Sequence, residues 1–483
     1  MRDASTLRHR IREQLDHPVI DADGHLIEFG PALAGFLAEE GIGDPGRLFR
    51  DISCGAGTPG IDTMTPRERD AVRAVRVPWW ATPASNTLDL ATAMLPELLY
   101  ERLDDLGIDF AVLYGSAALL FPHARDEATR RGACRAANRY FAELFGTFSD
   151  RMTPAAVVPL HTPEEGIELL EHAVGELGLK TAMIPSFVER AVPDGHRAPY
   201  NVWFDTLGLD SAYDYDPFWQ RCIDLGVSVA SHSPSMGIGF RSSPTNYMHN
   251  HIGHFAAAGE ALAKSLLFGG VTSRFPKLRV AFLEGGVHWA VGLLGDFVGR
   301  WGKRNRQAVR TYDPARVDRA KLAGLFEKYG GRLIARAPGG LAELGASELS
   351  SGPFDDFEHV AAASEQELGD RFVPNFYFGC EADDPMTATA FDTERTPFGR
   401  PLHAMFSSDI GHWDVPDMTD VLDEAWEHVE RGWLDRPAFR DFVFSNAVRF
   451  YTDTNPDFFA GTVVEKAVAA ERPELAVPQG RGA

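Results

Sequence analysis

The stretch VIDADGH at residues 19–25 is the part of the sequence from which the fold can be inferred. Its apolar run ends in Asp21, Asp23 and His25, and the alternation of side chains along a β-strand predicts that these three share one face. A carboxylate and an imidazole two residues apart can bind one cation, and we expect Gly24 to leave room for that ion and its water. Taken alone, the stretch is equally typical of a polar strand end with a capping aspartate.

Further apolar runs follow, separated by amphipathic helical patterns. The predicted strands are residues 19–23, 110–114, 154–160, 181–185, 227–231, 279–283, 376–378 and 404–407. The predicted helices include residues 127–145, 163–177, 216–225, 256–267 and 418–431. Strands that alternate with helices predict a parallel sheet. Eight such strands predict an α/β fold, the (β/α)8 TIM barrel, whose reactive residues lie at the C-terminal ends of the strands.

The barrel is expected to span residues 17–460 as one domain with long loop insertions. Three segments that are rich in glycine, proline or polar residues predict these insertions, at about 31–88, 189–213 and 303–370. The last segment is expected to form a cap or an oligomer contact. Residues 472–483 are predicted to form a C-terminal tail.

Charge and motif content exclude several classes of function. The chain has 47 Lys and Arg against 69 Asp and Glu, a formal net charge of −22, and such a field repels nucleic acid and anionic membranes. The four cysteines are far apart, which predicts reduced thiols in a cytoplasmic protein. The charged N-terminal stretch does not resemble a signal peptide, and no apolar run is long enough to cross a membrane. Without a P-loop, GxSxG or GxGxxG motif, a nucleotide cofactor is not predicted.

The ends of three later strands carry further ligand-type residues, namely His232, Glu284 and Asp409. Each has an ordinary alternative: a buried imidazole, an ion pair inside the barrel or a helix N-cap. Glu284 is followed by two glycines, which indicates a close approach of the backbone. The C-terminal ends of all strands in a barrel lie at the same opening. Ligand-type residues at four of these strand ends therefore favour a metal site. Mixed nitrogen and oxygen donors suit Zn²⁺, Fe²⁺ or Mn²⁺.

A second group of polar residues supplies candidates for catalysis or for further ligands. His251 and His254 share a face if they are helical, and His254 and His412 are candidate proton or oxyanion donors. Loop histidines that merely bind backbone groups are an equally good interpretation. Additional ligands, or residues that support the ligands, are expected among Asp21, His251, His288 and Glu381.

At these residues the sequence resembles the amidohydrolase superfamily, in particular its amidohydrolase-related branch, which includes aminocarboxymuconate-semialdehyde decarboxylase. The resembling segments are VIDADGH at 19–25, LDDLGIDFAVLYG at 103–115, residues 204–232, LLFGGVTSRFPKLRVAFLEGG at 266–286, FSSDIGH at 406–412 and FVFSNAVRFY at 442–451. The resemblance implies a TIM barrel with one catalytic divalent metal, most commonly zinc, in a homodimer.

Carried over by position, the resemblance assigns the metal ligands to Asp23, His25, His232 and Asp409, and places Glu284 where decarboxylating members have a histidine. An acidic residue in place of the first histidine has precedent in the family, whereas Glu284 is a departure that argues against the decarboxylase mechanism. Its extra carboxylate suggests an alternative with a second cation completed by His251 or His254.

Three functions are compatible with these residues. The leading hypothesis is hydrolysis of a carboxylic acid derivative, an amide, ester or thioester, by a metal-activated water from which Asp409 takes a proton. Its expected substrate is a small molecule, with a bulky secondary metabolite or a CoA thioester as the largest candidates. The first alternative is non-oxidative decarboxylation of an aromatic or unsaturated acid, and the second is a non-catalytic barrel that binds a ligand.

Overall fold

The computed structural model describes residues 11–12, 14–52, 64–72, 74–76, 85–192, 202–337 and 355–475. The strands in these ranges are β1 (Ile20–Leu26), β2 (Phe110–Gly115), β3 (Met152–Pro154), β4 (Ala156–Val157), β5 (Ala182–Ile184), β6 (Val188–Ala191), β7 (Val202–Asp205), β8 (Val229–Ser231), β9 (Val280–Phe282), β10 (Phe376–Cys380) and β11 (His403–Phe406). Every predicted strand is therefore confirmed to within a few residues.

All of these strands except β6 and β7 form a closed parallel barrel. Parallel pairs run β1-β2-β3 and β4-β5-β8-β9-β10-β11. β3 and β4 are separated by Ala155 alone, whose N–H donates to Leu113 of β2, so that they act as one strand joining the two sheets. Beyond β11, the Asp409 N–H donates to the Asp23 carbonyl at 3.0 Å, which joins the last strand to the first. Eight strand positions with helices between them are the (β/α)8 barrel that the sequence predicts.

Helices surround this barrel. The α-helices are Gly30–Glu39, Pro45–Asp51, Pro66–Ala71, Thr87–Met94, Pro96–Leu106, Glu127–Phe145, Pro163–Glu171, Asp216–Asp224, Tyr247–His251, His254–Phe268, Val271–Arg274, His288–Arg304, Arg319–Tyr329, Gly331–Ile334, Glu365–Phe372, Val421–Glu430, Arg436–Arg440, Asn446–Thr452 and Glu465–Glu471. Short 3₁₀ helices are Ala118–His123, Gly146–Phe148, Ala308–Tyr312, Pro314–Arg316, Glu358–Val360, Pro385–Phe391, Pro397–Gly399, Met418–Asp420 and Pro473–Leu475, and His172–Glu176 and Asp441–Ser445 are π-helical.

Local sequence signals explain where the predicted helices begin. The Asp126 side chain accepts a hydrogen bond from the Thr129 N–H at the start of Glu127–Phe145, and Thr162 caps Pro163–Glu171 in the same way, with proline in the first turn. Such caps satisfy N–H groups that the helix itself leaves without partners. Apolar helix faces then pack on the buried barrel strands in one continuous core.

The expected insertions contain structure of their own where the structure describes them. The antiparallel pair β6-β7 begins at Val188 and otherwise lies in the segment 189–213, and the helix Arg319–Tyr329 lies in the segment 303–370. Residues 53–63, 77–84, 193–201, 338–354 and 476–483 of the predicted insertions and tail lie outside the described residues. In the described ranges, no helix has the length and apolar character to cross a bilayer, and Cys134, Cys222 and Cys380 are buried free thiols.

Candidate metal centre

Three of the predicted ligands converge at the C-terminal end of the barrel. Asp23 and His25 come from β1, and His232 follows β8 directly. The Nε2 atoms of His25 and His232 lie 3.5 and 3.7 Å from Asp23 Oδ1, and 3.3 Å from each other. Ligand atoms about 2.1 Å from one tetrahedral ion are about 3.4 Å apart. The spacing of these three atoms therefore fits coordination of a single cation.

Asp409, the predicted ligand after β11, lies against His25 and forms a second potential metal-binding group with His25, Glu284 and His412. Its Oδ1 lies 3.3 Å from His25 Nε2 and 2.7 Å from His412 Nδ1. The backbone of Asp409 is left-handed, with φ of 54°, a conformation that is uncommon outside glycine and often marks functional sites. His412 stacks on His25 with ring centroids 3.8 Å apart. The strand end thus supplies both a fourth candidate ligand and an imidazole beside it.

Glu284 joins the cluster from the end of β9. Its Oε2 lies 3.4 Å from His232 Nε2, its side chain is only 5% exposed, and its backbone is also left-handed, with φ of 52°. The close approach predicted from the two following glycines is confirmed, since a Cβ at Gly285 would lie 3.1 Å from the Ala256 backbone and one at Gly286 would lie 2.7 Å from Asp384 Oδ2. The glycines therefore make room for neighbouring protein segments.

The electrostatics of the cluster fit a bound cation. Both carboxylate oxygens of Asp23, and Oε2 of Glu284, are buried without a hydrogen bond of normal geometry from the described residues. Burial raises the pKa of Asp23, Glu284 and Asp409 well above the usual carboxyl range, and it lowers the pKa of His232 to about 3. Buried carboxylates without partners are costly, and neutral imidazoles offer lone pairs to a metal. A divalent cation would supply the missing partner.

Asp21 does not share the face of Asp23 and His25, so that expectation was wrong. A β-bulge between Asp21 and Gly24 interrupts the alternation of side chains. The Asp21 carboxylate instead accepts hydrogen bonds from the Ser408 N–H at 2.9 Å and the Ser408 hydroxyl at 2.5 Å. A Cβ on Gly24 would meet this carboxylate, so the glycine leaves room for Asp21 rather than for an ion and its water. Asp21 thereby fixes the residue that precedes Asp409.

The remaining candidates lie around this cluster. His254 is buried and its Nδ1 accepts a hydrogen bond from the Ser235 N–H at 3.2 Å. It belongs to none of the potential metal-binding groups in the described part of the chain. His288 is exposed and lines a cavity together with Glu381, whose pKa burial and Asp414 raise to about 8. His251 Nε2 lies 3.8 Å from Asp414 Oδ2. The proposed catalytic roles of His254 and His412 stay predictions.

Two polar residues near the centre were not singled out from the sequence. Ser116 follows β2, and its hydroxyl lies 3.1 Å from His412 Nε2, so it helps to orient that imidazole. Asp414 forms a potential metal-binding group with His251 and Glu284. Ser116 could have been found because it lies two residues after the predicted strand 110–114, and Asp414 because it lies five residues after Asp409. Neither position carries a motif of its own.

A cavity of about 620 Å³ opens beside the cluster. Glu284 lies in its wall, together with Arg241, Trp289 and Glu381. Its volume is within the range of about 300–1,000 Å³ that is usual for small-molecule sites. The cavity is thus large enough for a substrate in contact with the candidate centre.

Fold and site together define a class: a (β/α)8 barrel enzyme with a candidate metal centre at the C-terminal ends of its strands. A sequence profile of the amidohydrolase family matches residues 20–329. The chain therefore belongs to this family and is an enzyme of the metal-dependent amidohydrolase superfamily, as the sequence resemblance implied.

Two solved structures with a similar fold illustrate the relationship. One is a dihydroxybenzoic acid decarboxylase from Polaromonas sp. JS666 with bound manganese and the inhibitor 2-nitroresorcinol, with a TM-score of 0.51, 16% identity and coverage of 92% of this chain and 99% of that one. The other is an amidohydrolase from Mycobacterium avium subsp. paratuberculosis K-10, with a TM-score of 0.52, 16% identity and coverage of 90% of this chain and 100% of that one. At this identity the likeness concerns the fold.

Proposed function

We propose that this protein is a metal-dependent decarboxylase of an aromatic or unsaturated carboxylic acid. This reverses the order expected from the sequence, where hydrolysis came first. Membership of the amidohydrolase family and the similar fold of a manganese-containing dihydroxybenzoic acid decarboxylase support the proposal. The observation that carries it is the contact of Asp409 with His412 beside the other three candidate ligands.

Asp23, His25, His232 and Asp409 would hold the cation. Bound there, a divalent metal would act as a Lewis acid on substrate oxygens. The two imidazoles are fully buried, so their positions are set by packing before substrate binds. Such preorganisation keeps the ligand atoms in place without reorganisation during the reaction.

Asp409 and His412 can supply the proton that decarboxylation needs. When the bond between the carboxyl group and its carbon breaks, the electron pair stays on that carbon and CO₂ leaves. The carbon must then take a proton, which Asp409 would donate. The Asp409 side chain is only 2% exposed, whereas that of His412 is 17% exposed and 2.7 Å away. His412 can therefore return a proton from solvent to Asp409.

The proposal is tested by incubating Mn²⁺-loaded protein with a panel of aromatic and unsaturated acids that carry a ¹³C-labelled carboxyl group. We expect labelled CO₂ from at least one acid, and deuterium at the former carboxyl-bearing carbon when the reaction runs in D₂O. Asp409→Asn should lose both signals while keeping the fold. A panel that gives no CO₂, while amides, esters or thioesters are cleaved, would contradict the proposal.

Hydrolysis of a carboxylic acid derivative stays the second candidate because of Glu284. This carboxylate lies beside His232 and in the wall of the cavity, where it can act as a general base towards water. Release of an amine, alcohol or thiol that Glu284→Gln abolishes would favour this function.

A further inference from the structure

A strongly basic segment interrupts this acidic chain. Residues 303–336 carry ten Lys and Arg against three Asp and Glu, a net charge of +7, whereas the other residues carry 37 Lys and Arg against 66 Asp and Glu, a net charge of −29. Within the described ranges, Arg304 is the one basic residue of the segment that forms an ion pair, with Asp356. The other nine basic residues are exposed. They can therefore contact an anionic partner.

The two helices of this segment present apolar side chains to solvent. Neither Arg319–Tyr329 nor Gly331–Ile334 has a buried residue. Tyr329 and Leu333 are 69% and 68% exposed. An isolated helix of about this length is only marginally stable in water, so contact with a partner would stabilise it. The exposed large apolar side chains of the segment are Tyr312, Val317, Leu325, Tyr329 and Leu333.

Apolar and basic side chains lie side by side on the longer helix. With about 3.6 residues per turn, Lys321 and Lys328 lie along one edge of its apolar face. A helix with an apolar face and flanking lysines is typical of segments that lie in the interface of a bilayer with anionic lipids. The apolar face consists of residues spaced as i, i+3, i+4 and i+7, namely Leu322, Leu325, Phe326 and Tyr329.

We infer that residues 303–336 bind the surface of a bilayer that contains anionic phospholipids. The apolar face enters the boundary between headgroups and acyl chains, and the lysines and arginines contact the lipid phosphates. Tyrosine suits this depth, because its ring is apolar and its hydroxyl group is polar. The helix Arg319–Tyr329 is too short to cross a bilayer, so it lies on the membrane.

The net charge of the whole chain, −22, does not prevent this contact. At physiological ionic strength the Debye length is about 8 Å, so a bilayer that touches the segment experiences mainly the local positive charge. The segment thus departs from the repulsion of anionic membranes that the composition of the whole chain predicts. An acidic protein surface would offer the same charge. A fluid bilayer additionally accepts separate apolar side chains without a groove of matching shape, and we therefore favour the bilayer.

Sedimentation with vesicles tests the inference without reference to any reaction. The full-length protein is mixed with vesicles of phosphatidylserine and phosphatidylcholine, or with vesicles of phosphatidylcholine alone. We expect it to sediment only with the vesicles that contain phosphatidylserine, and to be released at about 1 M NaCl, where the Debye length is about 3 Å. Failure to bind these vesicles at low salt, or equal binding to both kinds, would overturn the inference.

Paired charge variants distinguish this surface from charge elsewhere on the protein. One basic residue near an anionic membrane contributes about fivefold to affinity, so Lys321→Gln combined with Lys328→Gln should raise the Kd for the vesicles about 30-fold. The control, Lys277→Gln combined with Lys466→Gln, removes the same charge from two other exposed positions and should leave the Kd nearly unchanged. Equal losses of affinity in the two pairs would show that residues 303–336 are not the binding surface.

Truncation of exposed apolar side chains tests the apolar face itself. Tyr329→Ala combined with Leu333→Ala should weaken binding at least about 10-fold. Val463→Ala, which truncates a side chain that is 56% exposed elsewhere, should bind like the wild type, and circular dichroism establishes that each variant is folded. Light scattering detects a second copy of the chain as the other occupant. A wild-type dimer that this double variant makes monomeric, with no binding of vesicles, would contradict the inference.

Discussion

Gly24→Ala is predicted to weaken metal binding although Gly24 is not a ligand. The new Cβ would lie 2.6 Å from Asp21 Oδ2, 3.1 Å from Leu113 Cδ2 and 3.3 Å from Ile410 Cγ1. Ordinary contacts begin at 3.4 Å, so Asp21 must move away. It cannot do so freely, because Ser408 donates two hydrogen bonds to its carboxylate. The displacement is thus transmitted to Ser408 and to the neighbouring ligand.

The expected magnitude follows from these contacts. Overpacking a buried site typically costs about 1–3 kcal/mol of stability. Disturbing a residue that orients a metal ligand typically lowers metal affinity about 10–100-fold. We therefore expect the free energy of unfolding of apo-protein to fall by about 1–3 kcal/mol, and the Kd for Mn²⁺ to rise about 10–100-fold.

Urea unfolding and calorimetric titration with Mn²⁺ measure the two effects. The control is Gly30→Ala, because a Cβ at Gly30 meets nothing within 4 Å, and this variant should match the wild type in both assays. If Gly24→Ala binds Mn²⁺ as tightly as the wild type, Asp21 does not position Asp409 through Ser408. A loss of stability with unchanged affinity would refute the same link.

Three further predictions concern the site and its surroundings. His232→Ala and Asp409→Ala should each abolish activity and lower bound metal in elemental analysis, while circular dichroism stays unchanged; full activity in either would refute the assigned site. His412→Gln should lower kcat about 10²–10⁴-fold, as for loss of a general acid, with KM nearly unchanged, whereas a normal kcat would exclude the proton relay. Burial, then the Asp383 charge, raise the pKa of Glu424 from 4.5 to about 7. The Glu424 carboxyl group binds its proton more tightly in the folded protein than in the unfolded chain, so the stability of the protein falls as pH rises through about 7. Glu424→Gln should therefore raise the urea midpoint near pH 8 but not near pH 5. Equal shifts of the midpoint at both pH values would contradict this prediction.

The barrel could be predicted because its signals are local and repeated. Each buried parallel strand is a short apolar run, and the intervening helices begin at residues such as Asp126 and Thr162 that cap them. The sequence pattern predicts eight strands with helices between them, and this number of strands is the one that closes into a TIM barrel. The division of one predicted strand into β3 and β4 at Ala155 could not be predicted from the sequence. It arises because β3 is hydrogen-bonded to β2 whereas β4 is hydrogen-bonded to β5.

The grouping of ligand-type residues could also be predicted, but the individual orientations could not. Alternation along a strand correctly predicts that Asp23 and His25 share a face. It fails for Asp21 because a bulge between Asp21 and Gly24 shifts the pairing of β1 with β2. That shift depends on tertiary packing, and the sequence of residues 19–25 contains no signal that predicts it. Asp414 was missed for a similar reason, since a loop brings it towards His251.

Glu284 and Asp409 show how the barrel makes one centre from distant strand ends. Both follow a strand, both have left-handed backbones with φ of 52° and 54°, and such a conformation costs a non-glycine residue about 1–3 kcal/mol. A glycine would adopt it without this strain, yet both positions carry acids. An extended backbone would carry each side chain onward along its strand, whereas the left-handed turn brings Glu284 to 3.4 Å from His232 and Asp409 to 3.3 Å from His25. The strain therefore has a structural consequence: it directs both carboxylates to the imidazoles with which they would share a cation.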